Sequence, residues 1–485
     1  MRHQSFKVRS EEMIDAAFKF IDVNDFENAS KILVKYLDIQ PNSGRALQGL
    51  GLVALLTGRN GLAVAMFRQA LNNPEVAKHA FVWMQLGVAL TNCQRNEDAL
   101  KAHLKAHELD PNEALHLSNA AAAVMNSGRY EEVIKYARKA YALNRDDANV
   151  QWNLANGYLE KGVISRHVWE LHEGRRFVTS GVCKRRNYPG NPPMWDGKAT
   201  DHLVIHGEQG LGDEIMFASC IPDVIDAPGE KLKYAATSLV DVIALECAPR
   251  LQKLFARSFP DVTVIGTHDL EGKDLPEGFT PDAYCPLGSL PMLFRPSVES
   301  FPGTPYLIPD AAKVAAIRAR LPEGKLRVGV AWQGGGQNTR IDLRSILPDQ
   351  WQPILAQDCD FVSLQYTAQA AKDAAEMGIH HWPEAEADDM DDVAALVASC
   401  DLVISVCTTA IHLAGALGVP CWVLVPSGHA WRYGGTGETM PWYRSVRLFR
   451  QKGANWDETI GKVADGLADY RELPEAKRAA SRRAA

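Results

Sequence analysis

The sequence has no apolar run long enough to cross a bilayer. A membrane helix needs about 18 apolar residues in succession, and the 485 residues contain none. The first stretch, Met1 to Phe18, carries basic residues but lacks the apolar core of a secretory signal. Cysteine is present without organisation: nine residues, none in a C-x-x-C pair or a His/Cys cluster. Such scatter reads as reduced core thiols in a cytoplasmic protein. Positive charge is short as well. A net charge of −7 argues against nucleic acid as the partner. No spacing supports a Ser/His/Asp or Cys/His nucleophile, and no metal site stands out. The acidic run at Asp388, Asp389, Asp391 and Asp392 precedes a helical pattern, where acids favour the helix dipole. What is present is an ordinary globular composition, 46% hydrophobic, with length for about three domains.

An internal repeat dominates the first third. Trp83, Leu86, Gly87, Leu90, Ala99, Ala106 and Pro111 set a register. Stepping 34 residues on meets Leu117, Ala120, Ala121, Val124, Val133 and Ala140, and again Gln151, Leu154, Ala155 and Tyr158. Stepping back 36 meets Leu47, Leu50, Gly51, Ala54, Ala63 and Ala70, so two residues are inserted there. Small residues at fixed positions let two helices approach closely, and Pro closes the second. The pattern resembles the tetratricopeptide repeat, with four to five units over about residues 10–165. Gln85, Asn119 and Asn153 recur in the same 34-residue step. Carboxamides donate and accept, so such a ladder can grip a peptide backbone of any sequence. It resembles the asparagine ladder of the tetratricopeptide O-linked N-acetylglucosamine transferases; scattered surface polarity explains three positions as well.

Beyond a bridging segment the pattern changes. "HLVIHG", "KLKYAA", "VTVIG", "LRVGVAW", "DFVSLQ", "DLVISV", "CWVLVP" and "VRLFR" alternate with helical stretches. Short apolar strands alternating with helices predict parallel sheets in α/β layers. The fold class expected is α plus α/β: a repeat solenoid over 1–165, a bridge over 166–200, and Rossmann-like halves over 201–310 and 311–470. A polar, Ala-rich tail at 471–485 is expected to fray.

Three stretches carry chemistry. In "HGEQGLGDEIMFA" the spacing Gly207-x-x-Gly210-x-Gly212 is neither the G-x-G-x-x-G dinucleotide fingerprint nor a Lys-bearing phosphate loop. Its glycines allow a tight turn and close ligand approach at a helix start, Gly210 and Gly212 nearest the helix. Asp213 then stands at or near the N-cap, or serves as a general base at a cleft floor; Glu208 and Glu214 are rivals in the same loop. In "ISVCTTAIHLAGALG" the strand ends at Cys407, and Thr408 and Thr409 open a helix with His412 one turn in. Exposed N–H groups and hydroxyls there suit a phosphate, although a lone histidine on an apolar helix is also an ordinary core residue. In "VAWQGGGQNTRIDLRSI" Trp332 to Gly336 follow a strand end, and Arg340 and Arg344 could neutralise phosphate. Gln365 ends another strand, where it could read a base or cap. Arg432 follows a fourth strand end.

In order from Trp195 to Gln451, these blocks resemble the bacterial tetratricopeptide glycosyltransferases, whose catalytic half is similar to the heptosyltransferases with their GT-B fold. The resemblance implies inverting, metal-independent transfer from a nucleotide-sugar donor, without a cofactor. It makes Asp213, in Leu-Gly-Asp, the base. It assigns Thr408, Thr409 and His412 to the donor phosphates and Trp332, Gly334, Gln365 and Arg432 to the nucleotide and sugar, and it brings Gly210, Gly212 and Arg344 to the same donor. The repeats would dock a protein acceptor, flagellin being the expected one, through Gln85, Asn119 and Asn153. Two departures stand out. Cys407 replaces the family's usual aspartate, and the basic cluster before Arg344 is thinned to "NTRIDL". Thinner basic clamping is compatible with a nucleoside-monophosphate sugar. Two alternatives remain: a scaffold whose transferase half has decayed, and a transferase acting on a lipopolysaccharide sugar.

Overall fold

The computed structural model describes residues 2–125, 127–178, 183–227, 240–335, 341–453 and 455–474. The predicted strand "KLKYAA", Arg340 and the tail beyond 474 lie outside them. The chain divides into two compact units, Met1–Tyr158 and Leu159–Ala485.

The first unit is built of helical repeats of the tetratricopeptide kind. Its helices are α1 (Arg2–Asp22), α2 (Phe26–Ile39), α3 (Gly44–Leu56), α4 (Asn60–Ala70), α5 (Ala80–Asn92), α6 (Asn96–Leu109), α7 (Ala114–Met125), α8 (Tyr130–Leu143) and α9 (Ala148–Glu160). Each short turn between the helices of a pair needs one left-handed residue. Asn24 (φ 60°), Gly58 (φ 74°), Gln94 (φ 58°) and Gly128 (φ 72°) supply it, in steps of 34, 36 and 34 residues. The longer step falls where the extra turn Val76–Lys78 is inserted between α4 and α5. The small residues of the register sit at the helix crossings. A Cβ on Gly51 would lie 2.8 Å from the Phe67 ring, and one on Gly87 2.4 Å from the His103 ring. Phe67 is completely buried there, which stabilises the repeat by about 1.5 to 3 kcal/mol. Burial in the same seam holds the His103 imidazole neutral, its pKa lowered to about 4.

The second unit carries two sheets. The first contains β1 (Thr200–His206), β2 (Val240–Cys247), β3 (Thr263–Gly266) and β4 (Ala283–Pro286), all parallel, in the order β3-β2-β1-β4. The second contains β5 (Arg327–Ala331), β6 (Asp360–Ser363), β7 (His380–His381), β8 (Leu402–Val406), β9 (Cys421–Val425), β10 (Thr439–Met440) and β11 (Tyr443–Arg450). Its order is β10-β11-β9-β8-β5-β6-β7, parallel except for the short β10. Strands β5, β8 and β9 are almost wholly buried, as expected for sheets covered on both faces. Strands β2 and β4, and the two-residue β7 and β10, escape the sequence reading.

The described residues of 166–200, read from sequence as a bridge, belong to this unit. The helix α10 (Arg166–His172) buries Trp169, whose indole donates to the Arg295 carbonyl at 2.7 Å.

Strand order places the site. In the first sheet β2 and β3 lie on one side of β1 and β4 on the other, so the order reverses at β1. In the second it reverses between β5 and β8. Ligands of open α/β sheets bind outside the carboxyl ends of strands at such switch points. Gly207–Gly210 follows β1, Trp332–Gly335 follows β5, and Cys407–His412 follows β8.

Candidate active site

After β1 the chain turns through Gly207–Gly210 into α11 (Leu211–Ala218). Gln209 is left-handed, φ 65°, a conformation that costs a non-glycine residue about 1 kcal/mol or more. A Cβ on Gly207 would meet the Glu214 carboxyl carbon at 2.5 Å. Behind the loop, Glu208 is buried and accepts from Arg175 at 2.7 Å, both side chains being 0% exposed. Arg175 also donates to Glu173 at 2.6 Å and to Ser289 at 2.9 Å. A Cβ on Gly288 would come within 2.0 Å of a Glu208 oxygen. Glu208 is therefore a support for the loop, its carboxylate committed to Arg175. Sequence reasoning missed Arg175, which lies 33 residues before its partner with no motif around it.

The N-cap of α11 is Gly210, so Asp213 is the third helical residue and caps nothing. This corrects the N-cap reading. Its carboxylate instead accepts from Arg432, in an ion pair whose side chains are 18% and 16% exposed. Burial disfavours the Arg432 charge, but Asp213 raises the guanidinium above its usual value. Glu214, next in the chain, is 7% exposed and accepts from the Ala248 N–H at 2.9 Å. Burial pushes its carboxyl up to about 7, against the pull of that hydrogen bond.

From the second sheet, the helix Thr409–Ala416 brings its N-terminus against that of α11. A Cβ on Gly212 would lie 3.0 Å from His412 Cδ2 and 3.6 Å from Thr409 Oγ1. Thr408 is the N-cap: its hydroxyl accepts from Ala410 N at 3.2 Å and lies 3.0 Å from Ser405 Oγ. Thr409 remains half-buried at the helix start. His412 is buried with Nδ1 3.2 Å from the Tyr443 hydroxyl. Burial and then the Arg432 charge depress its pKa well below 6.5, so its neutral ring presents one N–H. The space for Tyr443 comes from Gly415, where a Cβ would strike its ring at 2.3 Å.

The remaining expectations divide. Gly334 sits close to the same loop, a Cβ there reaching within 2.8 Å of the Cys407 carbonyl. Arg344 donates to that carbonyl at 3.3 Å, so both stand beside the β8 end. Trp332 does not face the cleft: it is 1% exposed in the core with Val328, Val330 and Trp351, its indole donating to Asp373 at 3.2 Å. Gln365 is fully buried. Its carbonyl oxygen accepts from the N–H groups of Trp332 and Gln333 at 3.0 and 2.9 Å, and its amide donates to Gln333 O at 2.9 Å. That carboxamide pins the loop after β5 and is not open to read a base. The Cys407 thiol is buried and pushed up to about 11, hence uncharged.

Two cavities share Leu211, at the start of α11, in their lining, and Asp213 lines neither. One of about 440 Å³ opens over the first sheet, lined by Arg186, Gly207, Gln209, Glu214, Arg250 and His268. The other, about 150 Å³, lies between the sheets and is lined by Leu211, Leu364, Tyr366, Thr409 and Leu413. The acidic run is structural. Asp389 caps the helix Met390–Ser399, accepting from Asp391 N at 3.0 Å. Asp389 also pairs with Lys253 at 2.6 Å, and Asp391 with Lys313 at 2.9 Å. Among the described residues no group of three His, Cys, Asp or Glu could hold a metal ion. Among the described residues no helix is long and apolar enough to cross a membrane.

In the first unit Gln85, Asn119 and Asn153 lie on α5, α7 and α9, all half-buried. Asn153 is spent within the fold, donating to Ser118 O and Oγ at 3.2 and 2.9 Å. Gln85 and Asn119 have no side-chain hydrogen bond among the described residues.

No family model matches the chain. Among solved structures it resembles "YrrB: a TPR protein with an unusual peptide-binding site", at 20% identity and a TM-score of 0.30 over 35% of this chain and 86% of that one. It also resembles MamA, at 18% identity and a TM-score of 0.30 over 33% of this chain and 91% of that one. A peroxisomal targeting signal receptor of Kluyveromyces lactis is 29% identical over 128 residues, 25% of this chain and 22% of that protein. Protein FlbA of Caulobacter vibrioides is 31% identical over 472 residues, 92% of this chain and 76% of that protein. On that extent of identity, through both the repeats and the two-sheet unit, the chain belongs to the family of Protein FlbA.

Proposed function

We propose that this chain is a glycosyltransferase with a GT-B catalytic unit, which moves a sugar from a nucleotide-sugar donor to a protein acceptor held on its repeats. The observation that carries the reading is the meeting of two helix N-termini, those of α11 and Thr409–Ala416, around one carboxylate and one guanidinium. Helix N-termini and arginines favour a phosphate leaving group. A carboxylate opposite them is what an acceptor hydroxyl needs to lose its proton. In a single displacement the acceptor oxygen attacks the anomeric carbon, Asp213 takes the hydroxyl proton, and the nucleotide leaves with the bonding electrons. The Thr409 hydroxyl, the neutral His412 ring, Arg344 and the helix N–H groups stabilise the charge on the departing phosphate. Gly334, without a side chain, lets the loop after β5 pack against the Cys407 carbonyl and Arg344. The 440 Å³ cavity over the first sheet is the natural acceptor side.

Flagellin is the acceptor we propose, after the transferases the sequence resembles. Gln85 and Asn119 retain the free carboxamides that a peptide backbone would use. A second reading, a scaffold without transfer activity, draws on the Thr408 and Gln365 side chains being committed within the fold and on the uncharged Cys407. Incubation of the full chain with nucleotide sugars and flagellin, read by intact-protein mass spectrometry, separates the two. Transfer by the wild type that disappears in Asp213→Asn, with nucleotide binding retained, supports the transferase. Undiminished transfer by Asp213→Asn removes Asp213 from the mechanism, and nucleotide binding by neither protein leaves the scaffold.

A further inference from the structure

We propose that Arg432 guards Asp213, holding the carboxylate until the phosphate of an incoming donor takes the guanidinium over. The inference rests on the transferase reading and adds to it an order of events. Asp213 comes from α11 behind the first sheet, and Arg432 from the turn Trp431–Tyr433 behind the second. Arg432 Nη2 donates to Asp213 Oδ1. While that contact lasts, an acceptor hydroxyl approaching Oδ1 meets a guanidinium edge, and that oxygen is masked.

Arg432 is not exhausted by the contact. Its Nε is buried without a hydrogen-bond partner among the described residues, an arrangement that costs free energy unless a ligand completes it. The group also stands where a phosphate would arrive. Its charge reaches both the His412 ring and the Cys407 thiol, beside the N-terminus of Thr409–Ala416. Its guanidinium carbon lies 5.7 Å from the centre of the Trp431 ring, within cation–π range. A phosphate offers two oxygens to a planar fork, against the one that Asp213 presents, and helix N–H groups share its charge. Exchange of partners is therefore favourable. It frees Asp213 at the moment the donor is seated and not before, so the donor binds first.

A guard weakens donor binding, because each binding event must break the ion pair. The test is isothermal titration of the full chain with CMP, UDP, GDP and dTDP, carried on with whichever binds the wild type most tightly. Asp213→Asn removes the competitor and should bind that nucleotide about tenfold more tightly, a modest fraction of the coupling that close charge pairs show. In an Arg432→Met background, itself a weaker binder, the same asparagine change should do nothing. An unchanged dissociation constant in Asp213→Asn overturns the guard while leaving the transferase standing. Equal tightening in both backgrounds does so too, since it would report only repulsion between Asp213 and the nucleotide. Should Arg432→Met fail to fold, Arg432→Lys replaces it, and the asparagine change should then gain less than in the wild type; an equal gain contradicts the guard. No binding of any of the four by the wild type overturns the transferase reading, and the guard with it.

Discussion

Glu214 offers a quantitative handle on the loop that carries Asp213. Its carboxyl is 7% exposed and burial raises it from the ordinary 4.5 to about 7. At about 1.4 kcal/mol for each pH unit of displacement, ionising Glu214 in the folded protein costs roughly 3 kcal/mol more than in the unfolded chain. The sign follows from linkage. Below pH 4.5 both states hold the proton and nothing is lost; as pH rises from there through about 7, the unfolded state sheds it more readily and stability falls. Glu214→Gln keeps the shape and still offers an oxygen to the Ala248 N–H, but it cannot ionise. The variant should gain little over wild type near pH 5 and roughly 3 kcal/mol by pH 8. Urea unfolding at the two pH values measures this, followed by tryptophan fluorescence, to which the second unit contributes nine of the eleven tryptophans. An advantage of equal size at both pH values would refute the reasoning.

Arg175→Met should destabilise the second unit by about 3 to 5 kcal/mol, because Glu208 is left buried without its counter-ion; a loss below 1 kcal/mol in the same urea experiment contradicts the buried-pair account. Gln94→Gly should stabilise the repeats by about 0.5 to 1 kcal/mol by relieving a left-handed glutamine, and a lowered melting temperature would count against it. The double variant Gln85→Ala/Asn119→Ala in the full chain should lower transfer to a protein acceptor without altering nucleotide affinity. Unchanged transfer would remove the carboxamides from acceptor binding.

The repeats were legible because every unit solves the same local problem, a small residue at a crossing and a left-handed residue in a turn, so the solution recurs in the sequence. The apolar strands were legible for a similar reason. Strand β2 was not, since its run "VDVIALEC" is broken by charge, and β4 is four residues ending in Pro286. Asp213 was visible through its glycines. Its partner Arg432 lies 219 residues away, and no local pattern marks such a pairing. Trp332 and Gln365 misled because a strand end fixes where a residue stands and not which way it faces. One side chain turns into the core, the other back onto the loop.

The measurement closest to the central claim is thermal unfolding of the full chain with a panel of nucleoside mono- and diphosphates and their sugars. At about 100 times its dissociation constant a donor should stabilise by roughly 2.7 kcal/mol. The account predicts such a shift with one nucleotide and its sugar, reduced in Arg432→Met at the same ligand concentration. Identical melting curves with every member of the panel would contradict it.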